Sequence, residues 1–378
     1  MDEWNDDPRT DDPDDDPDDE PVDAAWFRRR LPSKAELAAL LAGDAVGQML
    51  QLSGTRAPVV LGFEGDAAPD ADPEVAAQLE LAKAATAKLS RDPGVVLSDA
   101  ETAAMHAFVH LVARPSLAVV DGKAPGIPVP WKALDAAHAL VQRRLNGVGR
   151  LDRHDGTSWG TGWFVTPELL VTNRHVVAAL LSIPLYGNWM GELADAKDSA
   201  NATWRDNRDV RPVWDPGDAP PTEGGTRGRV SEIVGLHPVH DLALLAVEGV
   251  ADAEDRVLSI GADPPDPIDG EAVYVPGYPM VGEGLGLHPA LLKILFGGPS
   301  ASIVKRLAPG RLMELDGNKL RHDATTLGGS SGSPMLSLSS HRVIGLHHSG
   351  AYAKRNSAVP LWTLADDPLL RAHGIEVG

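Results

Sequence analysis

TLGGSSGSP, residues 326–334, sets three serines, Ser330, Ser331 and Ser333, among glycines and ahead of a proline. A Gly/Ser turn is by itself an ordinary loop, so its meaning depends on the rest of the chain. A serine hydroxyl is a poor nucleophile until a base takes its proton, and that base needs an orienting carboxylate. Two other apolar-flanked polar spots offer these groups: LLVTNRHVV (169–177) carries His175, and HPVHDLALLAV (237–247) carries Asp241. Two parses compete. GGSSG also satisfies G-x-S-x-G with Ser330 at a strand–turn–helix elbow, which requires its Asp and His downstream. Only 45 residues follow Ser333, too few for the remaining strands and helices of such a sheet. The elbow parse fails, and the order His, Asp, Ser stands.

Working outward, the texture changes near Gly147. From there short apolar runs alternate with Gly, Pro, Asp and Asn: GWFVTP, ELLVTN, DLALLAV, AVYVPGYP, RVIGLHHSG and SAVPLW. This pattern predicts an all-β barrel or sandwich rather than βαβ units. DPGDAPPTEGGTRG (215–228) reads as a long loop, and ADPPDPIDG (262–270) as a connector between two β halves. Residues 281–312 read either as a substrate-edge loop or as a plain insertion. LWTLADDPLLRAHG (361–374) predicts a short closing helix.

Residues 24–145 read as helical. Ser33 with Glu36, and Ser98 with Glu101, have capping-box spacing. PEVAAQLELAKAATAKL (73–89) is alanine-rich and helix-favouring. Trp131, Leu134, Ala137, Val141 and Leu145 share one helical face. His106, His110 and His138 fall in these helices without a carboxylate–histidine motif, and read as packing or surface residues.

Charge is concentrated at one end. The net charge is −20, and residues 1–23 hold eleven Asp, two Glu and one Arg, a net −12. This proline-spaced arm has almost nothing apolar to bury and reads as disordered, either a solubilising tail or a docking arm for a basic partner. No Lys/Arg stripe points to nucleic acid. No apolar run approaches the 18 or so residues of a membrane span, and the amino terminus lacks a secretion-signal layout, so a cytoplasmic location is expected. With no cysteine in the chain, thiol catalysis, disulfides and Cys-ligated zinc are excluded. His240–Asp241 and His322–Asp323 lack a third metal ligand at a recognisable spacing.

GTGWFVTPELLVTNRHVV, HDLALLAV and TLGGSSGSPML with VIGLHHSG resemble the trypsin-like serine peptidases, in particular their bacterial, cysteine-free, glutamyl-endopeptidase-like branch. The resemblance spans roughly residues 147–362. It implies a mainly β fold of two six-stranded antiparallel barrels, chymotrypsin-like, behind the helical N-terminal region. The expected division is a disordered acidic tail (1–23), a helical, candidate regulatory region (24–145), and a protease domain (146–378) with barrel one at about 147–255, barrel two at about 256–362 and a C-terminal helix. By the same resemblance His175 is the general base, Asp241 its orienting carboxylate and Ser331 the nucleophile, with the N–H groups of Gly329 and Ser331 as oxyanion hole. Thr326 and His347 fall where glutamate-cleaving members hold a substrate carboxylate. Ser349 and Gly350 would pair with the substrate main chain. Ser330 stands where zymogens that mature by terminus insertion carry an Asp, so that switch is not expected. The implied activity is a serine endopeptidase acting on protein or peptide substrates without a cofactor, with 24–145 as a candidate surface for a regulatory partner. A binding module whose proteolysis is incidental or lost is the alternative.

Overall fold

The computed structural model describes residues 24–33, 36, 45–52, 73–92, 94–120, 122–126, 131–185, 188–195, 202–206, 226–280, 289–297, 304–351 and 355–378. The acidic arm therefore lies outside the described residues, as do 215–225 of the expected long loop.

The helical region contributes α1 (Ala24–Arg30), α2 (Ala45–Leu52), α3 (Pro73–Arg91), α4 (Asp99–Ala113), α5 (Lys132–Ala136) and α6 (His138–Leu145). Both expected capping boxes form: Ser33 and Glu36 exchange bonds of 3.0 and 3.3 Å, and Ser98 and Glu101 do the same. Such a box satisfies two orphan N–H groups at a helix start. Two expectations need correction. The stretch 131–145 is two helices broken at Ala137, although Trp131, Leu134, Val141 and Leu145 are all buried as its periodicity required. And the region is not purely helical, because Leu117–Ala118 form a strand, β1.

Twelve further strands are described. β2 (Val148–Arg153), β3 (Ser158–Phe164), β4 (Leu169–Thr172), β5 (Ala202–Asp206), β6 (Thr226–Leu236) and β7 (Ala243–Glu248) close a barrel in the order β2-β3-β4-β7-β6-β5. Residues 226–228, read above as loop, thus begin β6. β8 (Ala272–Gly277), β9 (Arg306–Asp316), β10 (Lys319–His322), β13 (Arg355–Pro360), β12 (Val343–Ala351) and β11 (Pro334–Ser337) form the second ring, closed by β11 pairing back to β8. β1 adds to this ring outside the six, with Leu117 opposite Leu307 and Ala118 opposite Arg306.

Strand alternation decides which side chains meet. On β7, Ala243, Leu245 and Val247 fill barrel one, while Leu244 faces the core shared with the helices. On β8, Val273 and Val275 fill barrel two, and Tyr274 joins the shared core. Trp204 packs edge-on to Phe164 inside barrel one, ring centroids 5.0 Å apart. The shared core runs from Trp26 and Phe27 through Met105 and Val109 to Leu307 and Leu346, so the helices are built onto the barrels.

Helices α7 (Arg174–Leu180) and α8 (Trp189–Asp195) belong to barrel one. Within the 281–312 insertion, α9 (Pro289–Phe296) packs its Leu291, Ile294, Leu295 and Phe296 into the core of α3 and α4. A helix this apolar needs cover, and the helical layer supplies it. The described part of the insertion is therefore packing, not a substrate edge. The connector 262–270 carries no strand, and the closing helix, α10 (Pro368–Ala372), forms as expected. Where barrels and helices meet, Asp206 binds Lys305 Nζ at 2.8 Å and Arg256 at 3.1 Å. These two cations also donate to the carbonyls of Leu145 and Asn146 at the end of α6. All three charged groups are buried, which demands this mutual neutralisation.

Candidate active site

His175 is the second residue of α7 (Arg174–Leu180), the helix that β4 leads into. Its Nδ1 lies 2.6 Å from Asp241 Oδ2, and its backbone N–H donates to Asp241 Oδ1 at 3.2 Å. Asn173 Nδ2 donates to the Asp241 carbonyl at 2.7 Å. The carboxylate is thus held at both oxygens and at its main chain. Burial alone would push the Asp241 carboxyl up, but the charge and hydrogen bond of His175, with His348 and Arg174 nearby, hold it well below the usual carboxylate range. An ionised Asp241 accepts from Nδ1–H, which leaves Nε2 as the acceptor of the imidazole. No described residue bonds to that Nε2.

The loop before Asp241 is braced from the end of the chain. His237 Nδ1 accepts the N–H groups of Val239 and His240 at 3.0 and 2.8 Å, so its proton sits on Nε2 and is donated to Asp367 Oδ2 at 2.9 Å. Asp367 is also the N-cap of α10.

The 326–334 loop lies against both barrels. Gly329 has φ +83°, and a Cβ there would meet Tyr278 O and Met280 Cγ at 2.6 Å, so only glycine fits. The Gly328 carbonyl accepts from Met280 N–H, and neither the Gly329 nor the Ser331 N–H has a partner among the described residues. Thr161 on β3 ties this loop to barrel one. Its hydroxyl donates to the Gly329 carbonyl at 2.9 Å and accepts from Tyr278 N–H, while its backbone N–H donates to the Ser331 carbonyl at 2.8 Å. Its carbonyl accepts from Thr172 Oγ1, three residues before His175. Gly332 is equally constrained, since a Cβ would sit 2.0 Å from Thr161 O.

Of the three serines, Ser330 is buried in the turn, with N–H to Leu327 O and carbonyl to Ser333 N–H. Ser333 is fully buried against Gly277. Only Ser331 is partly exposed, and its hydroxyl donates to the His348 carbonyl at 3.2 Å.

The expected pocket residues divide. Thr326 Oγ1 donates to Asn356 Oδ1 at 2.9 Å, with Asn356 Nδ2 bonded to Ala324 O. His347 is buried, and its Nδ1 meets His322 Nε2 at 3.1 Å. Burial, with His322 and His348 nearby, pushes His347 well below the ordinary imidazole range, so it is neutral. Ser349 and Gly350 pair with Ser357 and Asn356 of β13 on one edge. β11 covers the other edge of β12 only as far as Leu346. Among the described residues no cluster of three metal-ligating side chains occurs. Thr161, His237 and Thr325 take no role from the sequence alone, although Thr161 and His237 lie within the quoted motif stretches and Thr325 directly precedes one.

Residues 160–346 match the family model of the trypsin-like peptidase domain. The chain carries a trypsin-like peptidase domain. It is a serine endopeptidase, and its two closed barrels are the fold that this domain implies. No curated protein matches the peptidase in sequence. Among solved structures it is similar to the serine endoprotease from Yersinia pestis, with 16% identity over 65% of this chain and 69% of that one at a TM-score of 0.41. It is also similar to the Rv3671c protease in an inactive form, from M. tuberculosis H37Rv as its companion structure names the source, with 20% identity over 67% and 98% at 0.39.

Proposed function

We propose that the peptidase cleaves peptide bonds through His175, Asp241 and Ser331. The observation that carries this reading is the His175–Asp241 pair, set in the tautomer that leaves Nε2 to accept a proton. Ser331 attacks the carbonyl after its hydroxyl turns from the His348 carbonyl to His175, which takes the proton and later gives it to the leaving amine. The N–H groups of Gly329 and Ser331 receive the developing oxyanion, where one lost donor costs about 3 kcal/mol. The substrate strand adds to the open edge of β12 at His348–Gly350.

For the residue before the scissile bond the reading is Glu or Asp. We read His322 as the donor to His347 Nδ1, which leaves the His347 proton on Nε2 for a substrate carboxylate, and Thr326 joins it once its hydroxyl turns from Asn356 Oδ1. A peptide library preferring basic or large apolar residues would sink this part. We place the enzyme in the cytoplasm, with 24–145 as its regulatory region. Fluorophosphonate labelling tests the core of the reading: wild type and Ser330→Ala should react, and Ser331→Ala should stay silent. Labelling of Ser331→Ala with loss in Ser330→Ala moves the nucleophile by one residue, and no labelling of wild type favours the binding module.

A further inference from the structure

Four consecutive residues, Asp323 to Thr326, lead into the nucleophile loop, and helix α4 grips two of them. The Thr325 hydroxyl donates its only proton to the Arg114 carbonyl, so the His110 Nδ1 that lies 2.7 Å from it must be the donor. Arg114 Nε binds Asp323 Oδ1 at 2.6 Å, and the same oxygen accepts Arg311 N–H at 2.7 Å. Arg114 and Asp323 are each about nine-tenths buried, so neither charge has water as a substitute partner. Trp131 completes the clamp, donating Nε1–H to Ala113 O and standing against the guanidinium at 5.6 Å. The remaining two residues, Ala324 and Thr326, are held by Asn356. A cavity lies behind this segment, lined by Trp26, Arg30, His110, Arg114, Thr326 and Asn356. Thr326, the proposed pocket wall, therefore has the helical layer at its back.

We infer that His110 and Arg114, which lie outside the matched peptidase segment, are positioning residues for the pocket that takes the substrate side chain. They fix Thr325 and Asp323, and through them the placement of Thr326 five residues ahead of Ser331. The helical region so belongs to the specificity apparatus. This rests on the reading of Thr326 as a pocket residue. Ordinary core packing would predict a loss of stability alone; positioning predicts weaker binding of pocket-filling substrates while the reacting groups stay intact.

The test uses the full chain and two probes. A small fluorophosphonate needs the nucleophile and the oxyanion donors but no side-chain pocket, whereas a peptide with the preferred side chain needs both. His110→Leu and Thr325→Val should each raise KM for the peptide about tenfold with kcat within about twofold, and the phosphonate labelling rate should not change. His110→Asn, which returns a donor near the Nδ1 position, should recover most of the loss. The double variant should be no worse than Thr325→Val alone, which already removes the bond from His110 along with its own to the Arg114 carbonyl. Folded variants with an unchanged KM overturn the inference, as does a phosphonate rate that falls in step with peptide turnover. An unreactive wild type overturns the reading of the site itself, a distinguishable result.

Discussion

Thr161 shows how much one small side chain can fix. With its hydroxyl and its two backbone groups it bonds Gly329, Tyr278, Ser331 and Thr172, and it is fully buried. Its hydroxyl fixes the Gly329–Ser330 peptide, which lies between the N–H groups of Gly329 and Ser331 in the proposed oxyanion hole. Thr161→Val keeps the shape and removes that bond, so kcat should fall about tenfold or more with KM nearly constant, and Thr161→Ser should retain most activity. Steady-state kinetics on the three proteins decides it. The candidate base, acid and nucleophile stood out in the sequence because each sits between apolar runs, and because their order is that of the family resembled. Thr161, His110 and Thr325 were not legible as partners. Their contacts with residues 325–329 include pairs 168 and 215 residues apart, and no local periodicity records such pairings.

At the scale of elements, α10 illustrates how a short helix can matter beyond its length. Five residues make a poor helix in isolation, and this one is held by Asp367, which caps Leu369 and Leu370 and accepts from His237. Asp367→Ala removes a cap and a buried partner together and should cost about 1–3 kcal/mol in chemical denaturation. It should also lower kcat, because the His237 turn carries Asp241; an unchanged kcat would show the brace to be structural only. β3, β4, β7, β8, β12 and β13 were readable as short apolar runs between turn residues, and several helices from caps and spacing. β1 was not, because a two-residue strand between a proline and a glycine-bearing turn carries no pattern until β9 lies beside it.

Across the whole molecule, the buried histidines link stability to pH. Burial lowers His110 to about 3 and His106 and His322 to about 4, against an ordinary 6.5, and His347 is lowered too. Below about pH 6.5 the unfolded chain takes up protons that the folded chain refuses, so stability is full above that pH and falls as the pH drops toward the folded values. Each such histidine costs about 1.4 kcal/mol per pH unit in that window. Urea melts at pH 7.5 and 5.5 should therefore differ by several kcal/mol, and His110→Asn should reduce the difference by about one such increment. Equal midpoints would mean that these rings are hydrated in the native protein.

The pairing of β1 with β9 bears on where this enzyme can be cut. A chain begun at residue 146, the boundary that the sequence suggests, would leave the peptide groups of Arg306 and Leu307 facing water. It would also strip Leu145 O from Lys305, Trp131 from Arg311 and Arg114 from Asp323. A bared strand edge next to stranded buried charges is a template for self-association. The smallest piece worth expressing therefore begins ahead of α4, and the catalytic unit is larger than the segment that resembles a peptidase.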